Sequence, residues 1–157
     1  MDNSRPLAVG LIGTGHRAQK IYKPLFQSLT PWVRLAAVCD PVKENGDAYA
    51  QDMGVPAFYS LQELVQSDTI EAALVVAPID LHHAISSYLS EHGIHHHVET
   101  SMCSLLSQAQ EMVQRATEHD VVLRVAENFF RFPFDRIAKE VDNAGFLGPI
   151  KRISCFH

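Results

Sequence analysis

A glycine turn between an apolar run and a helical pattern is the stretch of this sequence whose residue types most clearly indicate chemistry. Residues 7–18 read LAVGLIGTGHRA, so a GxGxxA pattern begins at Gly13. Gly13 allows a tight turn, and Gly15, which lacks a Cβ, lets a pyrophosphate approach the backbone. The following helix N-terminus offers N–H groups and partial positive charge to phosphates. The pattern predicts a dinucleotide site, against the alternative of an ordinary strand–turn–helix, with phosphate-binding residues Gly13, Thr14, Gly15, His16 and Arg17.

An acidic residue follows the next apolar run at the spacing expected of a ribose contact. That run is Val33–Cys39, and Asp40 lies 25 positions after Gly15. A carboxylate there accepts hydrogen bonds from the adenosine ribose and repels a 2′-phosphate, which favours NAD over NADP. The nearby cation Lys43 weakens this preference. Asp40 could also cap the helix predicted at Val42–Met53, and the two roles are compatible.

The elements that carry these residues alternate between apolar strands and amphipathic helices. Strands are predicted at residues 7–12, 33–39, 57–59, 72–77, 94–99 and 121–126. Helices are predicted at residues 17–29, 42–53, 60–66, 82–92 and 104–119. In the first helix Pro24 is expected to cause a kink or an early end, and the expected buried face is Ile21, Leu25, Phe26 and Leu29. The alternation predicts an α/β fold with a doubly wound parallel sheet.

Five polar or glycine-containing turns follow these strands. They lie at residues 13–17, 40, 77–82, 99–102 and 127–131. Ligands of a doubly wound sheet bind beyond the carboxyl ends of the strands, near the point where the strand order reverses. The five turns therefore predict a ligand cleft on one rim of the sheet.

The composition excludes several classes of partner. The net charge is −5 and the basic residues form no cluster, so neither nucleic acid nor an anionic membrane is predicted as a partner. No apolar stretch is long enough to span a bilayer, and the first six residues lack the pattern of a signal peptide. Cys39, Cys103 and Cys155 form no CxxC pair, which is typical of reduced thiols in a cytoplasmic protein.

A run of three histidines raises the alternative of a metal site. His95 and His97 would share one face of a strand while His96 points away. A zinc site needs a third ligand and supporting hydrogen bonds, which the sequence does not identify. A histidine-rich strand start on the solvated rim explains the run without a metal, and no metal is predicted.

Several motifs, taken in order, resemble the nucleotide-binding half of the Gfo/Idh/MocA oxidoreductases, the family of glucose–fructose oxidoreductase and inositol dehydrogenase. The resemblance rests on the segments VGLIGTGHRA, AAVCDP, VVAPIDLHH, HHHVETS and VAENFFRFP. It implies a Rossmann domain at residues 1–126. It also implies, at residues 127–157, a linker helix, Phe134–Asn143, and a first strand, Ile150–Phe156, of a second α+β domain built on an antiparallel sheet.

The turn after the fourth strand carries part of the family pattern. The family has Thr-Pro-Asn and then a histidine, and here Pro78 and His82 match while Ala77 and Ile79 replace the threonine and the asparagine. The resemblance places Ala77, Pro78 and His82 beside the nicotinamide ribose. The alternative for His82 is a solvent-facing residue in the first turn of a helix.

The turn after the fifth strand departs from the family. The family has Glu-Lys-Pro, whose glutamate contacts the nicotinamide ribose and whose lysine acts near the substrate hydroxyl. Here Glu99 matches, but Thr100 replaces the lysine. A threonine hydroxyl can form hydrogen bonds but does not titrate near neutrality, so no catalytic residue is assigned. After the sixth strand, Asn128 and Arg131 match a turn that closes over the nicotinamide.

The resemblance implies that the chain binds NAD, with NADP as the less favoured cofactor. With a second domain, it would transfer hydride between nicotinamide and a sugar, polyol or related hydroxyl compound. A homo-oligomer is compatible with the unpaired last strand. Two alternatives remain: a non-catalytic NAD-binding regulatory or scaffold module, favoured by Thr100, and an S-adenosylmethionine-dependent methyltransferase, which Glu99-Thr100-Ser101 fits poorly.

Overall fold

The computed structural model describes residues 5–127, 132–152 and 154. The chain divides into two compact units, Met1–Ala126 and Glu127–His157. The predicted contacts Asn128 and Arg131 lie outside the described residues. None of the helices in the described part is long and apolar enough to cross a membrane.

The first unit is built on a six-stranded sheet with the order β3-β2-β1-β4-β5-β6, and every paired strand is parallel. The strand order reverses between β1 and β4. The predicted doubly wound parallel sheet is therefore confirmed. The strands are β1 Leu7–Ile12, β2 Val33–Cys39, β3 Ala57–Phe58, β4 Ala72–Val75, β5 His95–Val98 and β6 Leu123–Val125.

Helices follow the strands as predicted, with differences at their ends. They are a π-helical turn Ala18–Tyr22, then α1 Lys23–Ser28, α2 Lys43–Met53, α3 Leu61–Gln66, α4 Ile79–Glu91, α5 Leu106–Glu118 and α6 Pro133–Asn143. The predicted start of α4 at His82 is wrong, because the helix begins at Ile79 with Pro78 as its N-cap residue. Asp80, in the first turn of α4, accepts a hydrogen bond from the Ser104 hydroxyl at 3.0 Å.

The buried face of the first helix is not the predicted one. Ala18, Tyr22 and Phe26 are buried, whereas Ile21 and Leu25 are exposed. The helix begins with a π-helical turn, in which the Lys23 N–H donates to the carbonyl of Ala18, five residues earlier. Because a π-turn holds one residue more than an α-turn, it changes which side chains face the sheet. The prediction is therefore right at Phe26 and wrong at Ile21 and Leu25.

The core lies on both faces of the sheet, because side chains of β1 alternate between them. Ala8 and Ile12 belong to a cluster that includes Leu64, Leu89 and Met112. The cluster on the other face contains Val9, Leu11, Ala18, Tyr22, Phe26 and Tyr49. Both clusters hold the carboxyl end of β1, and hence the glycine turn, against the neighbouring strands.

In the second unit, α6 begins one residue earlier than predicted, with Pro133 in its first turn. A proline is well suited to that position, because its missing N–H would have no acceptor within the helix. Residues 150–152 and 154 of the predicted strand are described and form no strand. A strand needs a paired neighbour for its N–H and C=O groups, and the described residues pair none with this stretch.

Candidate functional site

The glycine turn leaves β1 in a conformation that its first glycine requires. Gly13 has φ +91°, a region that favours glycine. A Cβ at this position would lie 2.8 Å from the Val76 carbonyl oxygen and 2.9 Å from the Ala77 nitrogen. The Gly13 N–H donates to the Cys39 carbonyl at 2.9 Å. Gly13 therefore lets the turn pack against the end of β4 while it stays bonded to β2.

The second glycine faces open space. A Cβ at Gly15 would meet no atom within 4 Å, and Gly15, His16 and Arg17 are all exposed. The Gly15 carbonyl accepts the first helical hydrogen bond, from Gln19 N–H at 3.0 Å. The N–H groups of the first turn consequently have no acceptor within the helix. Open space beside such N–H groups fits a pyrophosphate.

Asp40 joins the end of β2 to the glycine turn. Its Oδ2 accepts hydrogen bonds from the Thr14 N–H at 2.8 Å and from the Thr14 hydroxyl at 2.7 Å. Its Oδ1 accepts from the Val42 N–H at 2.9 Å. The alternative of Asp40 as the cap of α2 is wrong, because Val42 is the N-cap residue and no side chain caps that helix. Asp40 is only 7% exposed. Oδ1 keeps acceptor capacity for a further donor, since each carboxylate oxygen has two lone pairs.

The cation near Asp40 is engaged elsewhere. Lys43 Nζ donates to the Tyr59 hydroxyl at 2.7 Å and lies 3.1 Å from Asp47 Oδ2. The Tyr59 hydroxyl donates in turn to Asp47 Oδ1 at 2.7 Å. These hydrogen bonds raise the pKa of Lys43 and lower that of Asp47. Lys43 thus already has an anionic partner.

Glu99 is a buried carboxylate at the end of β5 that receives three donors. Oε1 accepts from the Tyr22 hydroxyl and pairs with Arg17 Nε at 2.6 Å. Oε2 accepts from the Thr100 N–H at 2.9 Å. Burial raises the pKa of Glu99, but the hydrogen bonds from Arg17, Tyr22 and the Thr100 N–H outweigh it and hold the pKa below its usual range. Glu99 is therefore ionised at neutral pH.

His82 links two of the turns on the rim. Its Nδ1 lies 3.0 Å from the Ser101 carbonyl oxygen and its Nε2 lies 2.8 Å from the Ala77 carbonyl oxygen. The residue is 2% exposed, so the alternative of a solvent-facing histidine is wrong. Its ring bridges the turn after β4 and the turn after β5.

These contacts bring four of the five predicted turns together on one rim. Asp40 contacts Thr14, Gly13 lies against Ala77, and the His82 ring contacts the carbonyls of Ala77 and Ser101. The ion pair between Arg17 and Glu99 then returns to the glycine turn. The fifth turn, residues 127–131, lies almost wholly outside the described residues.

Thr100, where the resemblance led us to expect a lysine, follows Glu99 on this rim. It is exposed, and its N–H is held by Glu99. The peptide bond from Thr100 to Ser101 is cis. No lysine lies between Lys43 and Lys139, so a titrating ammonium from a neighbouring turn is absent from the described rim.

The three histidines of β5 have structural partners. His96 is buried, with Nε2 2.7 Å from the Ser86 hydroxyl and Nδ1 2.9 Å from the Ile94 carbonyl. The expectation that these histidines lie on the solvated rim is therefore wrong for His96. Burial lowers the pKa of His96. His95 Nδ1 accepts from the Val122 N–H at 3.2 Å. Across residues 5–127, 132–152 and 154, no group of three His, Cys, Asp or Glu could hold a metal ion.

Tyr22 is the contact that sequence reasoning missed. It is 8% exposed and lies 77 positions before Glu99, whose carboxylate it contacts. Burial, and then the hydrogen bond to Glu99, raises the pKa of Tyr22 far above its usual value. The sequence carries one signal for this contact, a tyrosine, whose ring bears a hydroxyl, four residues after Ala18 on the same helix. The predicted buried face did not include it.

Comparison with known proteins agrees with this geometry. Residues 7–127 match the model of the Gfo/Idh/MocA family, described as an oxidoreductase family with an NAD-binding Rossmann fold. The chain belongs to this family. The match runs from β1 to the residues just after β6, and it confirms the resemblance drawn from the motifs.

Individual relatives are distant and much longer than this chain. A 2,7-anhydro-N-acetylneuraminate hydratase from Mediterraneibacter gnavus is 25% identical over 146 residues, which are 93% of this chain and 38% of the relative. The WlbA dehydrogenase of Bordetella pertussis, solved with NADH and UDP-GlcNAcA, superposes with a TM-score of 0.89 at 24% identity, over 94% of this chain and 42% of that one. The Y186F mutant of KijD10, a 3-ketoreductase of Actinomadura kijaniata solved with TDP-benzene and NADP, has a TM-score of 0.85 at 21% identity, over 94% and 45%. This chain thus spans less than half of these relatives.

Proposed function

We propose that this chain binds NAD(H) in preference to NADP(H) and forms the cofactor-binding half of an oxidoreductase site. The observation that carries the proposal is the open space beside Gly15, which lies next to the N–H groups of the first helical turn. Two buried carboxylates, Asp40 and Glu99, contact the same glycine turn. The family match supports a nicotinamide dinucleotide. The choice of NAD rests on Asp40, since one solved neighbour holds NADH and another holds NADP.

Each part of the rim has a separate role in this proposal. The backbone of Gly13, Thr14 and Gly15 and the helix start at His16 and Arg17 hold the pyrophosphate. Asp40 uses its Oδ1 to accept a hydroxyl of the adenosine ribose, and its charge repels a 2′-phosphate.

Glu99 accepts a hydroxyl of the nicotinamide ribose on Oε2, because Oε1 is already engaged by Arg17 and Tyr22. Ala77, Pro78 and His82 form the wall on that side. Asn128 remains a proposed contact of the nicotinamide.

The nicotinamide, when bound, supplies the hydride acceptor or donor. This chain's residues position it but hold no titrating group at the usual lysine position, because Thr100 stands there. A complete oxidoreductase therefore needs a proton-transferring group from elsewhere, for a sugar, polyol or related hydroxyl substrate. The second candidate is a non-catalytic dinucleotide-binding module, which the threonine at position 100 favours.

Calorimetric titration of the purified chain with NAD, NADH, NADP and S-adenosylmethionine tests the proposal. We expect saturable binding of NAD and NADH, weaker binding of NADP, and none of S-adenosylmethionine. Failure to bind any dinucleotide contradicts the proposal, and so does tighter binding of NADP than of NAD. Turnover of a polyol by the chain in the presence of NAD would contradict the non-catalytic module.

A further inference from the structure

We propose that Tyr22 is a positioning residue, whose hydroxyl fixes the Glu99 carboxylate so that one oxygen faces the nicotinamide ribose. The inference rests on the proposed function, since it assigns Glu99 to that ribose. The inference adds Tyr22 to the predicted site residues, which lie in the glycine turn, at Asp40 and in the turns after β4 and β5. Tyr22 would act through Glu99 and not through contact with the cofactor.

Among the residues that the structure describes, the donors around Glu99 leave one acceptor position open. A carboxylate has about four lone-pair positions, two on each oxygen. The Tyr22 hydroxyl and Arg17 Nε take both positions on Oε1, and the Thr100 N–H takes one on Oε2. The remaining position is on Oε2. A ribose hydroxyl would find its acceptor there only while the carboxylate keeps this rotation.

Tyr22 is better suited than Arg17 to hold that rotation. The Tyr22 ring is packed in the core with Ala18, Phe26 and Tyr49 and is 8% exposed. The Arg17 side chain is 55% exposed, and it lies at the helix start where the phosphates are placed. An exposed guanidinium beside a pyrophosphate has a competing anion once the cofactor binds. The buried phenol has no such competitor.

The π-helical turn explains why the hydroxyl reaches Glu99. It spans Ala18–Tyr22 and ends at Tyr22 itself, and it brings that residue onto the buried face in place of Ile21. π-Turns inside helices are frequent at functional sites. Phenylalanine would fill the same space in the core if packing were the only requirement. The hydroxyl of Tyr22 therefore has a role beyond packing.

Tyr22→Phe tests the inference, because it removes the hydroxyl and keeps the ring. Affinities for NADH and for ADP are measured by calorimetry on the whole chain, since ADP lacks the nicotinamide ribose. We expect Tyr22→Phe to weaken NADH binding about tenfold, because Glu99 would lose its charge-assisted hydrogen bond from the ribose hydroxyl. ADP binding should stay within about twofold of the unmodified chain. Tyr49→Phe is the matched control. It removes another buried phenol hydroxyl from the same core, 3.4 Å from the Ala18 carbonyl oxygen, and should leave the NADH-to-ADP affinity ratio unchanged.

A double-mutant cycle guards against a general loss of stability. If Tyr22 acts through Glu99, then Tyr22→Phe has no further effect on NADH affinity in a Glu99→Gln background. Equal loss of NADH and ADP affinity in Tyr22→Phe overturns the inference, because it indicates damage to the glycine turn. An unchanged NADH affinity, or full additivity in the cycle, also overturns it. If the unmodified chain binds neither ligand, the proposed function fails and this inference fails with it.

Discussion

Thr14 and Asp40 are joined by two hydrogen bonds to one carboxylate oxygen, from the Thr14 N–H at 2.8 Å and from its hydroxyl at 2.7 Å. The pair is buried, with Thr14 2% and Asp40 7% exposed. It fixes the glycine turn of β1 to the end of β2. The two halves of the proposed adenosine and phosphate site are thereby set relative to each other before any ligand arrives.

Removal of the Thr14 hydroxyl should therefore weaken the fold. Thr14→Val keeps the β-branched shape and loses one hydrogen bond to a buried charge, so we expect a loss of about 1.5–3 kcal/mol in the free energy of unfolding. Thr14→Ser keeps the hydroxyl and should lose clearly less. Urea unfolding followed by circular dichroism measures both, and equal midpoints for the two variants would contradict the assigned role.

The charge of Asp40 should set cofactor choice. Asp40→Asn removes the repulsion of a 2′-phosphate, so we expect the preference for NAD over NADP to fall by about tenfold, or 1.4 kcal/mol. Lys43→Gln is the control, because Lys43 is already held by Asp47 and the Tyr59 hydroxyl. Calorimetric titrations of both variants with the two cofactors measure the ratio. The assignment is wrong if Lys43→Gln changes the ratio more than Asp40→Asn does.

Glu99 should contribute to stability in a pH-dependent way. Its pKa in the folded chain lies below the usual value because three donors outweigh burial. A group with a lowered folded pKa binds fewer protons when folded, so its contribution is fully present above the unfolded pKa of about 4.3. It is lost as pH falls through the folded pKa. Urea midpoints from pH 7 down to pH 3 should fall less steeply in Glu99→Gln than in the unmodified chain; parallel curves would count against this role.

His82 and His83 are adjacent but should respond differently to substitution. His82 bridges the Ala77 and Ser101 carbonyls and is buried, whereas His83 pairs with Glu111 at the surface at 2.9 Å. His82→Phe removes a buried ring that bonds these half-buried turns, for which we expect a loss of about 1–3 kcal/mol. His83→Phe should cost under about 1 kcal/mol, as surface pairs do. Thermal unfolding compares them, and a larger loss in His83→Phe would refute the bridging role.

The sheet was predictable because its signals are local. Continuous apolar runs and helical periodicity are read within about ten residues, and β1 and β2 were predicted with the bounds that the structure shows. The helix that starts at Ala18 was less predictable. Its π-helical turn carries no composition signal, so Ile21 and Leu25 were assigned to the core and Tyr22 was not.

The rim was predictable as a set of positions but not as a set of contacts. The strand order places the turns after β1, β2, β4 and β5 on one rim, and the structure confirms that they lie together. The hydrogen bonds between Tyr22 and Glu99, and between His82 and Ser101, join residues 77 and 19 positions apart. Such pairs depend on the packing of whole elements and leave no periodic trace in the sequence.

Alanine substitutions at the two glycines of the turn should have different effects, one on stability and the other on ligand binding. Gly13→Ala places a Cβ 2.8 Å from the Val76 carbonyl oxygen at φ +91°, so we expect a destabilised fold, by about 1–3 kcal/mol, whatever the ligand. Gly15→Ala meets no atom within 4 Å and should unfold at the same urea concentration as the unmodified chain. Its added methyl group would instead occupy the space assigned to the pyrophosphate.

The most direct test of the account is the affinity of Gly15→Ala for NADH, measured by calorimetry beside the unmodified chain. We expect the unmodified chain to bind, and the variant to retain its fold but bind at least about tenfold more weakly. If the variant binds NADH as tightly as the unmodified chain, the open space at Gly15 is not the phosphate site, and the account is contradicted.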